Sequence, residues 1–173
     1  MKIIGIIFLA CFLMFVAIFT KALLNKNTIH DISNRIILPL LYTEDQLFDT
    51  NDLIGHPYIL NVFASWCTTC QEEHSMLLDI AKEQIIEIYG INYLDTEYKV
   101  KEWLKTNGDP YTKIAKDYSG KVNNILGVTG VPETFIFDQH GKLLLHIYGS
   151  LTKDIWRTQI LPLIQKTENS MKL

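Results

Sequence analysis

The sequence predicts an α/β fold in which strands and helices alternate about one sheet. Three observations carry that prediction. Tyr58 to Phe63 is rich in β-branched and aromatic residues, as a strand buried on both faces must be, and reads as a strand of parallel type. Apolar residues at helical spacing follow it, Met76, Leu77, Ile80 and Ala81, with Glu72, Glu73 and Asp79 between them. Further along, apolar runs of strand length alternate with amphipathic stretches of helix length, which is how an α/β chain is written.

In chain order, the first element is an apolar run. Ile3 to Thr20 carries no charge, and Lys21 ends it. As a helix it reaches about 27 Å, enough for the hydrocarbon core of a bilayer, and Ala22 to Leu24 can extend it. A cleaved signal peptide is the rival reading, but its apolar core is shorter, about 7–15 residues, and ends in a small-x-small site that this run lacks. The expectation is therefore an uncleaved transmembrane anchor over 1–24, with Cys11 a lipid-facing passenger rather than a lipoprotein site. A polar linker over 25–35 follows.

Ile36 to Leu41 and Gln46 to Phe48 read as short strands, an N-terminal hairpin. Asp52 to Pro57 turns the chain into the Tyr58 strand. After the first helix, Ile85 to Leu94 reads as a second buried strand, Glu97 to Thr106 as a surface helix ended by Asn107 to Pro110, and Tyr111 to Lys116 as a strand. Val122 to Leu126 is a short helix and Thr134 to Phe137 a strand. Asp138 to Gly141 makes a hairpin turn, and Lys142 to Tyr148 returns. Asp154 to Ile164 closes the chain as an amphipathic helix with Ile155, Trp156, Ile160 and Leu163 on one side. The domain so bounded runs over 36–168, with 169–173 a tail.

Charge narrows the classes of function. The chain of 173 residues has a net charge of −3 and no basic cluster, which disfavours nucleic acid as a partner.

The chemistry sits at Cys67-Thr68-Thr69-Cys70, where the Tyr58 strand passes into the first helix. The first turn of a helix carries orphan N–H groups and the positive end of the dipole, and both favour negative charge on a sulfur placed there. Cys70, nearly one turn on, can reach the Cys67 sulfur. The pair reads as a dithiol redox centre, with Cys67 as nucleophile and Cys70 as resolving thiol. Two inert structural cysteines are a poor match to a Trp-Cys-x-x-Cys on a strand–helix turn. Zinc sites commonly use two such pairs; Cys67, Cys70 and His74 supply three ligands, and the remaining Cys11 lies in the apolar run. Haem attachment needs a His after the second cysteine, where Gln71 stands.

The element order, with a Cys-x-x-Cys opening the first helix, resembles the thioredoxin fold, a central mixed sheet flanked by helices. Here that fold carries an N-terminal hairpin extension and a transmembrane helix. NVFASWCTTCQEEH (61–74), INYLDTEYKVKEWLKTNGDPY (91–111) and GVTGVPETFIFDQHGKLL (127–144) resemble the CcmG/DsbE branch, membrane-tethered thiol:disulfide proteins of cytochrome c maturation. The resemblance covers about residues 36–166.

That resemblance implies an inner-membrane protein with its domain in the periplasm. It would reduce a disulfide of apocytochrome c or of a CcmH-type assembly factor, and be re-reduced by a DsbD/CcdA-type membrane carrier, with no cofactor. A general disulfide oxidase or isomerase, a TlpA-like reductant for copper insertion, and a non-catalytic tether for apocytochrome c remain alternatives. It also implies a substrate-contact surface at Trp66, Val131 and Pro132. About one X–Pro bond in twenty is cis, and the family keeps a cis proline at Pro132, which exposes the Val131 backbone to an extended substrate. Glu73, three residues past Cys70, and Glu133, next to Pro132, match acidic positions that the family keeps near its redox centre. Asn61 stands six residues before Cys67, where thioredoxins place a buried Asp; Asn takes up no proton, so that role falls to another group. Thr68 departs from the family's usual proline and leaves the reduction potential open. His74 is expected on the helix surface or at a cap.

Overall fold

The computed structural model describes residues 35–171, together with Phe12 and Met14. The anchor expected over 1–24 and nearly all of the linker lie outside the described residues, among which no helix is long and apolar enough to cross a membrane. The chain divides into two compact units, Met1–Asp31 and Ile32–Leu173. The second unit carries the cysteine pair and, among the described residues, all of the strands.

Two short strands, β1 (Ile37–Pro39) and β2 (Leu47–Asp49), form the expected antiparallel hairpin, with Leu38 opposite Phe48. Arg35 pairs with Asp49 across the hairpin. The main sheet has five strands: β3 (Tyr58–Phe63), β4 (Glu87–Tyr93), β5 (Lys113–Asp117), β6 (Glu133–Phe137) and β7 (Leu143–Tyr148). Their order is β5-β4-β3-β6-β7. β3 runs parallel to β4 and antiparallel to β6, so its parallel reading holds on one side only and the sheet is mixed.

Residues alternate across this sheet. Ile59 and Phe63 face α1 (Thr68–Glu83), α2 (Glu97–Asn107) and the C-terminal helix, with Leu77, Ile80, Val100, Leu104, Trp156 and Ile160 filling the layer. Leu60, Val62 and Phe135 face the hairpin and α3 (Lys121–Leu126), against Leu38, Phe48 and Val122. Each fully buried aliphatic side chain contributes about 1.5–3 kcal/mol, so both layers are needed.

The C-terminal helix departs from expectation. It starts as α4 (Lys153–Ile155), widens into a π turn over Trp156–Ile160, and continues as α5 (Leu161–Met171), beyond the expected helix end at Ile164. The wide turn ends at Leu161, whose N–H bonds to the Trp156 carbonyl, just before Pro162, which has no N–H to give. Ile164 is the buried residue of this last part and Leu163 is only half-buried.

Candidate active site

Cys67 is the N-cap of α1, and its sulfur accepts the Cys70 N–H at 3.2 Å, which is how a cap side chain satisfies an orphan donor of the first turn. Its thiol points to the Val131 carbonyl at 3.4 Å. Both cysteines are free, and Cys67 keeps 7% of its surface exposed, so a sulfur is reachable at the mouth of the helix. Cys70 lies deeper. Burial pushes its thiol well above the ordinary range; Cys67 and the charge of Glu73 push the same way, against a hydrogen bond with Ala64.

Two loops fix Cys67. The Ser65 N–H donates to Asp95 Oδ2 at 2.7 Å, and the Trp66 indole N–H donates to the Leu94 carbonyl at 3.1 Å. Leu94 sits at φ 45°, a left-handed conformation uncommon outside glycine, with its N–H bonded to the Asp117 carbonyl. Burial works to raise Asp95, but donors from Asn92, Ser65 and Thr96 outweigh it and hold the carboxyl below its usual range. Trp66 itself is 54% exposed, a flat apolar wall beside the nucleophile. On the other side stands Val131, joined to Pro132 by a cis peptide bond.

Glu73 does not lie on the solvent face with Glu72 but is 3% exposed, one turn past Cys70 on the inward stripe that runs Cys70, Glu73, Leu77, Ile80. Its Oε1 accepts from Asn61 Nδ2 at 3.0 Å and its Oε2 from the Leu151 N–H at 2.6 Å. Asn61 also donates to Thr134 Oγ1 at 3.0 Å and accepts from the Tyr111 hydroxyl at 2.8 Å. Burial raises the Glu73 carboxyl to about 7, against the two donors that lower it. The group that can exchange a proton near Cys70 is thus Glu73, with Asn61 as its fixed partner. Sequence reasoning missed Tyr111, Thr134 and Leu151, which are remote in the chain and meet Asn61 and Glu73 only through sheet register and packing.

Glu133 stands apart from Glu73. It is adjacent to Thr134 on β6, so its side chain leaves by the opposite face of the sheet. Buried at 2% exposure, its Oε1 accepts from the Thr129 N–H at 2.8 Å, the Thr129 hydroxyl at 2.8 Å and the Gly130 N–H at 3.0 Å. It gathers the segment that presents Val131. The structure thus places Glu133 on the segment that presents Val131, across the sheet from Glu73.

His74, expected on the surface or at a cap, is buried. Its Nε2 meets the Gly108 carbonyl at the end of α2 at 3.0 Å, and its ring lies 4.3 Å from that of Trp103. Burial lowers the imidazole below its usual range, so the neutral ring donates to Gly108. The helix-surface reading gives way to the cap, because His74 shares the inward stripe of α1. That leaves its ring turned toward Gly108.

The sequence profile of the Redoxin family matches residues 24–158. The thiol:disulfide interchange protein DsbE of Haemophilus influenzae is 40% identical over 119 residues, 68% of this chain and 65% of that protein's length. DsbE of Tatumella citrea is 38% identical over 130 residues, 75% of this chain and 70% of its own length. Among solved structures, MTB DsbF in its mixed oxidised and reduced forms shares the fold, with a TM-score of 0.66 at 24% identity over 74% of this chain and 94% of that one. A Cys-x-x-Cys at the mouth of α1, on a mixed sheet of this order and with these relatives, places the chain in the Redoxin family, among the DsbE thiol:disulfide interchange proteins.

Proposed function

We propose that the protein is a membrane-anchored reductant, held by residues 1–24 with its domain in the periplasm, that opens a disulfide of apocytochrome c or of a CcmH-type assembly factor holding it. One observation carries this reading: a reachable Cys67 sulfur stands over a Cys70 thiol that burial keeps protonated, next to a carboxyl that titrates near neutrality. Such a pair works in one order. Cys67, as thiolate, attacks one sulfur of the substrate disulfide; that bond breaks, the other substrate sulfur leaves as a thiolate, and a mixed disulfide forms. Cys70 then passes its proton to Glu73 and attacks the Cys67 sulfur. The mixed disulfide breaks, the second substrate thiolate leaves, and the Cys67–Cys70 disulfide forms, so two electrons have moved from protein to substrate.

The Val131 carbonyl gives an extended substrate a main-chain acceptor beside the reacting sulfur, in the manner of strand addition, and Trp66 supplies an apolar wall. A DsbD/CcdA-type membrane carrier would restore the dithiol. In an oxidising compartment other enzymes close exposed thiol pairs, which makes a dedicated reductant necessary.

Capture with Cys70→Ser tests the proposal. The expected product is a mixed disulfide through Cys67, released by a thiol reductant, that contains apocytochrome c or its assembly factor. Cys67→Ser is expected to trap nothing and to abolish turnover. Trapping by Cys67→Ser instead would reverse the two roles, and a captured set without any cytochrome-maturation protein would overturn the substrate.

A further inference from the structure

The four donors on Glu133 divide by oxygen. Oε1 takes the Thr129–Gly130 segment, while Oε2 takes the imidazole Nε2 of His146 at 2.7 Å. His146 lies on β7 opposite Phe135, and Glu133 is opposite Tyr148, so the contact runs diagonally across the β6–β7 ladder. The ring is held on both sides, 3.9 Å from the Phe135 ring and 3.9 Å from that of Tyr148. Clamped in this way, it has one polar contact directed at Oε2. Glu133 is buried, so without His146 that oxygen would face no solvent and no donor, and the carboxylate would have to turn or the segment it gathers would have to shift. Directly after that segment comes Val131, whose carbonyl meets Cys67.

We propose that His146 is a positioning residue for thiol–disulfide exchange: by locking Glu133 it holds the Thr129–Val131 segment where a polypeptide disulfide is engaged beside Cys67. This rests on the reading that the segment meets the substrate.

The test compares second-order rates of reduction of two disulfides by the reduced full chain: a disulfide-closed peptide, which can pair with the Val131 backbone, and hydroxyethyl disulfide, which is too small to do so. His146→Phe keeps the ring stack and removes the N–H donor; His146→Gln returns a donor. Loss of one charge-assisted contact is expected to slow the peptide about fivefold with His146→Phe. The hydroxyethyl disulfide rate should stay within about twofold, and His146→Gln should recover most of the peptide rate. Equal slowing of both disulfides, no slowing of either, or failure of His146→Gln to recover would overturn the assignment. Should His146→Phe not fold, His146→Asn, too short to reach Oε2, is read the same way. Val131→Asp, run alongside, separates the two ideas. If it leaves the peptide rate unchanged, the segment does not meet substrate and the reading beneath the proposal fails. If it slows the peptide while His146→Phe does not, only the role of His146 fails.

Discussion

Glu73 binds its proton about as tightly as neutral water chemistry requires because the sheet and α1 close over it while only two donors face it. A carboxyl raised from 4.5 to about 7 in the fold favours the folded chain while protonated. That stability is complete below about pH 4.5 and lost as pH rises through about 7, in all about 3 kcal/mol. Glu73→Gln should therefore flatten the pH dependence of the urea midpoint between about pH 4.5 and about pH 7. Its amide also turns an N–H₂ toward one of the two donors, which lowers stability at every pH, so the slope and not the absolute midpoint is the quantity to read. The same variant should remove an inflection near pH 7 from the rate at which Cys70 resolves a mixed disulfide. At this scale the sequence was legible where spacing decides, at Cys67 and Cys70 in the opening turn of a helix, while Glu73 and Asn61 were singled out by resemblance. It was not legible where strand parity decides. Of the neighbours Glu133 and Thr134, it is Thr134 that turns toward Asn61. Nor does any local signal join His146 to Glu133, since their contact depends on how β6 and β7 are staggered, with a register shift at Ile136/Phe137.

At the scale of elements, β4 shows how closely the site is packed. Gly90 lies opposite Asn61 on β3, and a Cβ there would come within 2.9 Å of Phe63 Cε1 and 3.1 Å of the Tyr111 ring. Those rings stack at 4.6 Å between centroids, and Tyr111 delivers its hydroxyl to Asn61, so neither can give way without moving the polar cluster around Glu73. Gly90→Ala is expected to cost about 1–3 kcal/mol by overpacking and to lower Tm by about 5 °C in a thermal melt. An unchanged Tm would mean that the stack yields freely. The elements themselves were largely readable, because apolar runs of strand length mark the centre of the sheet and the first helix shows its period. The π turn was not, since Ile155, Trp156 and Ile160 fit an ordinary amphipathic helix and only Pro162 hints that the ladder must change.

For the whole molecule, the folded unit and the apolar N-terminal run are separable expectations. A chain beginning at Ile32 should reduce hydroxyethyl disulfide as fast as the full chain, since the contacts that hold Cys67 in place lie within 35–171. On fractionation, the full chain should sediment with membranes and the shortened one should remain in the supernatant. A full chain found in the supernatant would remove the anchor from the proposed function.

The hairpin at the start of the domain also governs how copies of the molecule can meet. Leu40 bridges to Ala115, and the Leu41 N–H donates to the Ile114 carbonyl at 2.8 Å, along the outer flank of β5. That flank is where a neighbouring molecule could otherwise lay down a strand of its own and begin an endless ribbon. The hairpin thus covers part of one rim of the sheet, and among the described residues β7 is the other margin along which such stitching could start.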